Sequence, residues 1–345
     1  MIEVKKLSLE SENFGSFFKV PFFLNDSNAC KNQEIREKSQ LCSNNIFFEH
    51  GEGRGFVILN NGNIKGRIFS SIDRSLISKG EDKDKIIGHI GYLSVLEEVY
   101  SERLIKEAEG WLRSKGATHV HGPLNLNVLN GYRLQMSGFD TLPFPGEPRN
   151  PIYYKEFFLS SGYKVINRWN SWDLSPEFIQ LSAYHAQEYS KKAMIDGVTI
   201  RPLNMNKFEE ELAHICECAL ESFSSNYGIA QISKEEFVQS LLYLKPLIKG
   251  DLFYILEEKG GDVGGFIMGH QDDPENPSRI IFHTVALKEK WQKTYAAYLL
   301  AFKICSKVSS LGHHGIGAFA KEGKSTFDRL GPPTRSYSLF EKSLF

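Results

Sequence analysis

The stretch that decides the fold is residues 284–300, TVALKEKWQKTYAAYLL. It joins an apolar, strand-forming run at 280–287 to a segment at 295–309 whose apolar residues recur at helical spacing. The polar residues between these two segments predict a short loop. The sequence therefore predicts a long strand that leads through a loop directly into a helix.

The rest of the C-terminal half surrounds this strand and helix with further elements. The predicted elements are, in order, helices at 208–223 and 233–248, strands at 252–257 and 263–269, then, after the quoted stretch, a strand at 315–320, a short helix at 325–330 and a strand at 337–341. This order alternates strands and helices, which is typical of a sheet with helices packed on it.

The N-terminal half gives a matching order. An Asn61-Gly62 step between strand-forming runs predicts a β-hairpin, and Ser101 is placed to cap a helix. The predicted elements are strands at 56–59, 64–69 and 86–96, a helix at 101–115, a strand at 118–121, a Gly- and Pro-rich loop at 122–151, a short helix at 153–161 and a strand at 167–174.

The two halves therefore form a structural repeat with a spacing of about 150 residues, although their residue identity is slight. This predicts an α/β (α+β) fold of two tandem domains, each a mixed twisted sheet flanked by helices. The expected boundaries are 1–175 for the first domain, 176–200 for a connecting segment and 201–345 for the second domain.

Composition and charge narrow the function classes. The 345 residues carry 41 Lys and Arg against 42 Asp and Glu, a net charge of −1, so no general attraction to nucleic acid or to an anionic membrane is expected. The sequence shows neither an apolar stretch of spanning length nor a signal-peptide pattern, and its five cysteines form no CxxC pair. A cytoplasmic protein without a metal site is the expectation.

The quoted stretch and the order around it resemble the GNAT acyltransferase superfamily, twice in tandem. In that fold a Gln/Arg-x-x-Gly-x-Gly/Ala loop holds the coenzyme A pyrophosphate at a helix N-terminus. Gln292 and Ala297 keep the ends of this pattern, Tyr295 stands at its central glycine, and Lys293 adds a positive charge. The tyrosine is a departure, because glycine allows the backbone to approach phosphate closely.

The resemblance implies how the C-terminal domain holds its donor. Gln292, Lys293, Tyr295 and Ala297 would bind the pyrophosphate of acetyl-CoA or another acyl-CoA, which serves as co-substrate. The strand backbone at Val285 and Leu287 would hold the pantetheine arm. The equivalent N-terminal loop has Glu97, Glu98 and Glu102 and no glycine, so that domain is expected not to bind coenzyme A in the usual way.

Other segments resemble a family of bacterial tandem GNAT-like proteins that lack an assigned reaction. They include 47–52 (FFEHGE), 122–125 (GPLN) and 150–154 (NPIYY). The tyrosine that often protonates the leaving thiolate in the superfamily is replaced by Phe158 in the first half and by Phe327 in the second. Neither half therefore keeps the usual acid.

Candidate reacting and substrate-binding residues lie on the long strand and in the long loop. His283 is the only titratable residue of 280–287, and we predict that it is the base that deprotonates the acceptor amine. The alternative is that it is a histidine hydrogen-bonded within a half-buried strand. The loop predicts a substrate pocket, whereas the alternative is a structural loop whose Asn side chains cap turns. The candidate pocket residues are Asn125, Asn127, Arg133, Asp140, Tyr153 and Tyr154.

Together these features predict an acyl-CoA-dependent N-acyltransferase-like enzyme that acts on a small-molecule amine. Two alternatives stay open: a non-catalytic ligand-binding or scaffold protein with degenerate GNAT domains, and a Fem-type aminoacyltransferase whose donor is aminoacyl-tRNA. Partners other than the small molecule, namely nucleic acid or membrane, are not expected. The sequence does not indicate an oligomeric state.

Overall fold

The structure is a computed structural model that describes residues 1–20, 27–76, 84–192, 197–224, 232–275, 277–323 and 326–345. Contacts divide the chain into two compact units. The first contains Met1–Arg168 together with Arg335–Phe345, and the second contains Trp169–Thr334. The domain boundaries expected from the sequence (1–175 and 201–345, with 176–200 between) stay a prediction.

Strands and helices alternate as the sequence predicts, and the mixed α/β fold class is confirmed. The strands are β1 (Ile2–Leu7), β2 (Gly51–Asn60), β3 (Asn63–Asp73), β4 (Ile87–Val95), β5 (His119–Gly122), β6 (Leu134–Ser137), β7 (Lys164–Leu174), β8 (Val198–Pro202), β9 (Phe253–Glu258), β10 (Val263–Gln271), β11 (Arg279–Leu287), β12 (His314–Lys321) and β13 (Arg335–Ser343). The α-helices are α1 (Ser27–Gln40), α2 (Phe47–His50), α3 (Ser101–Ser114), α4 (Tyr154–Ser160), α5 (Pro176–Lys192), α6 (Phe208–Ser222), α7 (Lys234–Leu241), α8 (Glu289–Gln292) and α9 (Ala296–Leu311).

The sheet of the first unit has the strand order β1-β2-β3-β4-β5-β13, with β6 also paired to β13. Strands β4 and β5 are parallel, and the other pairs are antiparallel. The predicted hairpin is the β2–β3 connection, where Asn61 (φ 48°) and Gly62 (φ 82°) both take the left-handed conformation. This is the backbone of the tight turn that an Asn-Gly step favours.

The sheet of the second unit repeats this pattern with the order β8-β9-β10-β11-β12, and β12 then pairs with Trp169–Leu174 of β7. Strands β11 and β12 are the parallel pair. The last strand in each of these two orders comes from the other half of the sequence: β13, at the end of the chain, joins the first sheet, and β7 joins the second.

Helix α9 packs against the second sheet through its apolar side chains. Ile304 and Val308 pack in one cluster with Ile280 of β11, and Leu300 packs in another with Leu287 at the end of that strand. Gly312, with a φ of 67°, ends the helix in the left-handed conformation. This packing holds the N-terminus of α9 beside the end of β11, which is the region that carries the resemblance.

Some boundaries differ from the predicted ones. Ser101 is the first residue of α3 and not its cap, because a 3-10 turn at Glu98–Tyr100 leads directly into the helix. The helix predicted at 233–248 ends at Leu241, and a 3-10 turn continues the chain. Strands β1, β6 and β8 and helix α1 were not predicted, since the three strand segments are only four to six residues long and the helix segment is mostly polar.

Candidate functional site

The parallel strands of the second unit separate part of the way along their length. β11 and β12 pair from Arg279–His314 to Phe282–Gly317. Beyond that point β11 continues to Leu287, while β12 pairs on with β7 at Ala320 and Lys321. Phe319, with a φ of 55°, redirects β12 between the two pairings. The result is a gap bounded on one side by residues 283–287 of β11.

A β-bulge places His283 where this gap begins. On the neighbouring strand β10, Gly269 lies opposite Phe282 and Met268 lies opposite Thr284, which leaves His283 as the extra residue. The His283 side chain is half-buried, and its Nδ1 lies 2.7 Å from Thr284 Oγ1. Because a bulge re-aims the side chain it carries, His283 is oriented differently from its neighbours along the strand.

The other two predicted strand residues have different surroundings. The Val285 side chain is 52% exposed. The N–H of Leu287 donates to Ser222 Oγ at 3.3 Å, and its carbonyl oxygen accepts from Gln292 Nε2 at 3.1 Å. Gln292, predicted to contact pyrophosphate, therefore ties the loop to the strand in this structure.

The loop after β11 is anchored by Glu258 of β9. Glu258 accepts a hydrogen bond from Trp291 Nε1 at 2.7 Å and from Lys290 Nζ at 2.6 Å. Burial raises the pKa of Glu258, but these two hydrogen bonds and the charges of Lys290 and Lys288 together hold the pKa below its usual value. Gly264 is required beside this anchor, because a Cβ there would lie 2.5 Å from Trp291 Nε1.

A shallow cavity of about 660 Å³ lies along the same loop. It is lined by Glu221, Lys288, Glu289, Lys290 and Lys293, three cations against two anions. The Glu221 carboxylate also accepts the N–H of Glu289 at 2.9 Å. Lys290 is paired with Glu258 at 2.6 Å and Lys288 lies 3.9 Å from Glu217, so Lys293 is the lining cation closest in sequence to the start of α9.

Tyr295 does not line this cavity. Its ring is stacked against Tyr189 of α5, with centroids 6.3 Å apart, and lies 6.2 Å from the ring of Tyr298. The residue is 44% exposed. Ala297 is partly buried against the cluster that contains Leu287. The tyrosine at the position of the superfamily glycine is thus turned toward α5 and leaves the lysine-lined cavity open.

The corresponding junction of the first unit is filled by its own residues. β4 and β5 are paired from Ile87 to His89 on β4. Further along β4, the Leu124 N–H donates to Ile90 O and Asn125 Oδ1 accepts from Tyr92 N, each at 2.7 Å. The packing is close, because a Cβ on Gly91 would lie 2.3 Å from the Leu124 carbonyl oxygen.

Two adjacent tyrosines complete this filling. The hydroxyl of Tyr154 accepts from Val95 N, and that of Tyr153 donates to Val95 O, each at 2.7 Å. Burial is the first cause that raises the pKa of Tyr153, to about 12, and it raises the pKa of Tyr154 as well. Both hydroxyls therefore stay protonated at neutral pH.

The remaining candidate pocket residues of the loop are spread out. Asn127 is buried and its Oδ1 accepts from the N–H of Leu129 at 2.9 Å, which is a turn-capping contact. The Arg133 guanidinium stacks over the Tyr132 ring at 3.8 Å, on a backbone with a φ of 95°. Asp140 is exposed. Asn125, Tyr153 and Tyr154 thus all form hydrogen bonds to the backbone of β4. Substrate binding by the six residues stays a prediction.

His270, which lies beside His283, was not among the residues predicted from the sequence. Its fully buried ring is centred 5.6 Å from the His283 ring. Residues 263–269 were predicted as a strand that stops just before it, and no sequence pattern marks it. Among the described residues, no group of three or more His, Cys, Asp or Glu side chains is placed to hold a metal ion. Within that same part of the chain, every helix is too short or too polar to cross a membrane.

No family model matches the chain. Two curated relatives do. A protein of Caulobacter vibrioides named bacterial ceramide synthase is 27% identical over 223 residues, which cover 64% of this chain and 56% of the relative. Protein YghO of Escherichia coli is 30% identical over 229 residues, which cover 65% of this chain and 56% of the relative. The chain thus spans a little over half the length of the curated relatives that it matches.

Solved structures resemble the chain over its whole length. A tandem GNAT protein from the clavulanic acid biosynthesis pathway matches with a TM-score of 0.56 at 10% identity, covering 100% of this chain and 99% of that one. At this identity the likeness concerns the fold alone. It agrees with the tandem arrangement of the predicted elements.

Proposed function

Because the chain has the tandem fold of the GNAT acyltransferase superfamily, we propose that its second unit transfers an acyl group from an acyl-CoA to the nitrogen of an amine. The separation of β11 from β12, with His283 in the bulge at its start, is the observation that carries this proposal. A gap beside a strand edge accepts an extended acyl-pantetheine chain, and the imidazole supplies a base next to it.

The residues of the loop fit the anionic end of such a donor. Lys288, Lys290 and Lys293 outnumber Glu221 and Glu289 in the cavity lining, and the 16-residue helix α9 begins beside them. A helix N-terminus and lysines both favour a diphosphate. The donor's diphosphate would therefore lie in this cavity, and its thioester would extend along residues 283–286.

The chemistry assigned to this chain is proton removal from the acceptor. Neutral His283 would take a proton from the protonated amine, and the amine nitrogen would then attack the thioester carbonyl carbon. The C–N bond forms, the C–S bond breaks, and the sulfur leaves as the coenzyme A thiolate. Phe327, tilted against Trp172 with ring centroids 5.9 Å apart, cannot protonate that thiolate, so solvent would do so.

The relatives suggest the kind of acceptor. A ceramide carries its fatty acyl group on the nitrogen of a long-chain amino alcohol, so the name of the Caulobacter vibrioides relative describes amide formation on an amine. By analogy we infer that a small amino alcohol or a long-chain amine is the acceptor of this chain. The relative is 27% identical to this chain, and 56% of its length is matched.

A non-catalytic acyl-CoA-binding protein is the second candidate. It is favoured by Phe327, which stands at the position of the usual acid. A Fem-type reaction, which needs aminoacyl-tRNA, has weaker support because the net charge is −1.

Donor binding and thiol release separate these functions. The protein is mixed with acetyl-, octanoyl- and palmitoyl-CoA, with and without a panel of primary amines and amino alcohols. A donor at 100 times its Kd adds about 2.7 kcal/mol to the free energy of unfolding, which raises Tm. We expect a Tm rise with acyl-CoA and thiol release that requires an amine. A Tm rise without thiol release favours the binding protein, and no response to any acyl-CoA contradicts both candidates.

A further inference from the structure

The buried imidazole of His270, in the second unit, has a ring nitrogen with no role in the reaction proposed above. His270 lies near the end of β10 and is fully buried. Its Nδ1 is 2.9 Å from the carbonyl oxygen of Gln271, and since a carbonyl only accepts, Nδ1 carries the proton. Burial lowers the pKa of this imidazole to about 4, so at neutral pH its Nε2 has a lone pair.

That Nε2 is a buried acceptor with no hydrogen-bond donor among the residues that the structure describes. Buried polar atoms in folded proteins are nearly always bonded, either to protein groups or to ordered water. Since the protein atoms described here supply no donor, a small donor such as a water molecule fits the requirement.

The position of His270 links it to the gap. It pairs with Ile281 across the β10–β11 ladder, one step before the bulge that contains His283. The two imidazole rings are centred 5.6 Å apart and inclined by 51°. The His283 Nδ1 lies 2.7 Å from Thr284 Oγ1, and the neutral imidazole has one unprotonated ring nitrogen that can take a proton.

We propose that His270 is a positioning residue whose Nε2 accepts a hydrogen bond from a water molecule that relays the acceptor's proton to His283. This inference rests on the proposed function. The water oxygen takes a proton from the ammonium group and passes one of its own protons to the unprotonated ring nitrogen of His283. It keeps the O–H that it donates to His270, so the water is regenerated and the neutral amine remains for attack.

Two substitutions of His270 distinguish this role from a structural one. The Asn amide reaches the position of Nδ1, so His270→Asn keeps a donor for the Gln271 carbonyl and loses the acceptor at Nε2. The Gln side chain reaches the position of Nε2, so His270→Gln restores an acceptor oxygen there. We expect kcat to fall about 10- to 100-fold in His270→Asn and to recover to within about threefold of the wild type in His270→Gln. The KM for acyl-CoA should stay the same in both.

The first unit offers a matched control. His89 is also buried, its Nδ1 lies 3.0 Å from the carbonyl oxygen of Leu126, and burial lowers its pKa to about 4. His89→Asn should leave kcat within about twofold of the wild type. If His270→Asn does the same, or if Gln is slower than Asn at position 270, the positioning role is wrong.

A second measurement does not depend on turnover. In the full chain with ¹⁵N-labelled histidine, the His270 Nε2 resonance, assigned by its loss in His270→Gln, should have the upfield shift of a hydrogen-bonded acceptor. The shift of a non-bonded nitrogen would overturn the inference. Failure of the proposed function is a separate result, because the wild type would then release no thiol with any donor and amine.

Discussion

Both units have a junction at which a parallel pair of strands ends, but the junction is open in the second unit and filled by protein groups in the first. In the second unit β11 and β12 part after Phe282 and Gly317, and Phe319 directs β12 away. In the first unit the region beyond the last β4–β5 pair is occupied by Leu124 and Asn125, whose groups bond to β4. Tyr153 and Tyr154 then bond to the end of the same strand.

A few polar groups therefore decide whether the strand edge at this junction is free or already hydrogen-bonded. A strand edge with bonded N–H and C=O groups has no capacity left for an extended ligand, because each backbone group is already satisfied. In the described part of the chain, the first unit therefore has no free edge at this junction, whereas in the second unit β11 continues beyond its last pair with β12. The predictions below test this division between the units.

The largest effect on the reaction rate is expected at His283, the proposed catalytic base of the open junction. His283→Ala should lower kcat by about 10²- to 10⁴-fold and leave the KM for acyl-CoA unchanged, since it removes proton transfer and not donor contacts. The matched control is His119→Ala in the first unit, where Nδ1 lies 3.0 Å from the neighbouring Thr118 Oγ1, as in the His283–Thr284 pair. Steady-state thiol release measures both variants, and equal rates would remove His283 as the base.

Each unit also contains a buried histidine with a lowered pKa, so acid should destabilise both units. Burial lowers the pKa values of His89 and His270 from about 6.5 to about 4. Between these values the unfolded chain binds more protons than the folded chain, so stability is full above pH 6.5 and falls as the pH drops toward 4. The loss is about 3 kcal/mol per ring. His89→Phe should reduce the slope of stability against pH, measured by urea unfolding; an unchanged slope would contradict this.

Removal of one hydroxyl from the filled junction of the first unit should lower stability and leave acyl-CoA binding unchanged. Tyr154→Phe leaves the buried Val95 N–H without its acceptor, which costs about 1–3 kcal/mol and lowers Tm by about 2–4 °C per kcal/mol. Tyr184→Phe, at a tyrosine that is 58% exposed, should leave Tm unchanged. A Tyr154→Phe variant with normal Tm but weaker acyl-CoA binding would mean that the first unit takes part in binding.

A smaller effect is expected at the loop of the open junction. Lys293→Glu reverses a charge in the cavity lining and should weaken acyl-CoA binding about tenfold, which corresponds to about 1.4 kcal/mol. Lys303→Glu makes the same charge change on the exposed side of α9 and is the control. Calorimetric titration measures both. Equal Kd values for the two variants would place the diphosphate elsewhere.

The sequence predicted features that depend on local pattern. The Asn61-Gly62 turn, the strand at 280–287 and the helix after it were predicted from neighbouring residues, and the GNAT fold followed from their order. The separation of β11 from β12 was not predictable, because it depends on a bulge at His283 and on the left-handed backbone of Phe319.

Long-range contacts were also beyond the sequence pattern. Tyr153 and Tyr154 were predicted as pocket residues because of their rings and hydroxyls. Their hydroxyls bond to Val95, 58 and 59 residues away in the chain. No local signal indicates that β13, at the end of the chain, pairs in the sheet of the first unit. Partner choice of this kind is decided by tertiary packing.

Hydrogen exchange of the full chain with a non-hydrolysable acyl-CoA analogue tests the division between the two units most directly. Amides of residues 283–286 and of the loop at 288–295 should be protected by the analogue, at one molecule per chain, while β4 in the first unit should show no change. Protection of β4, or no protection of β11 at saturating analogue, would contradict the assignment of the donor site to the second unit.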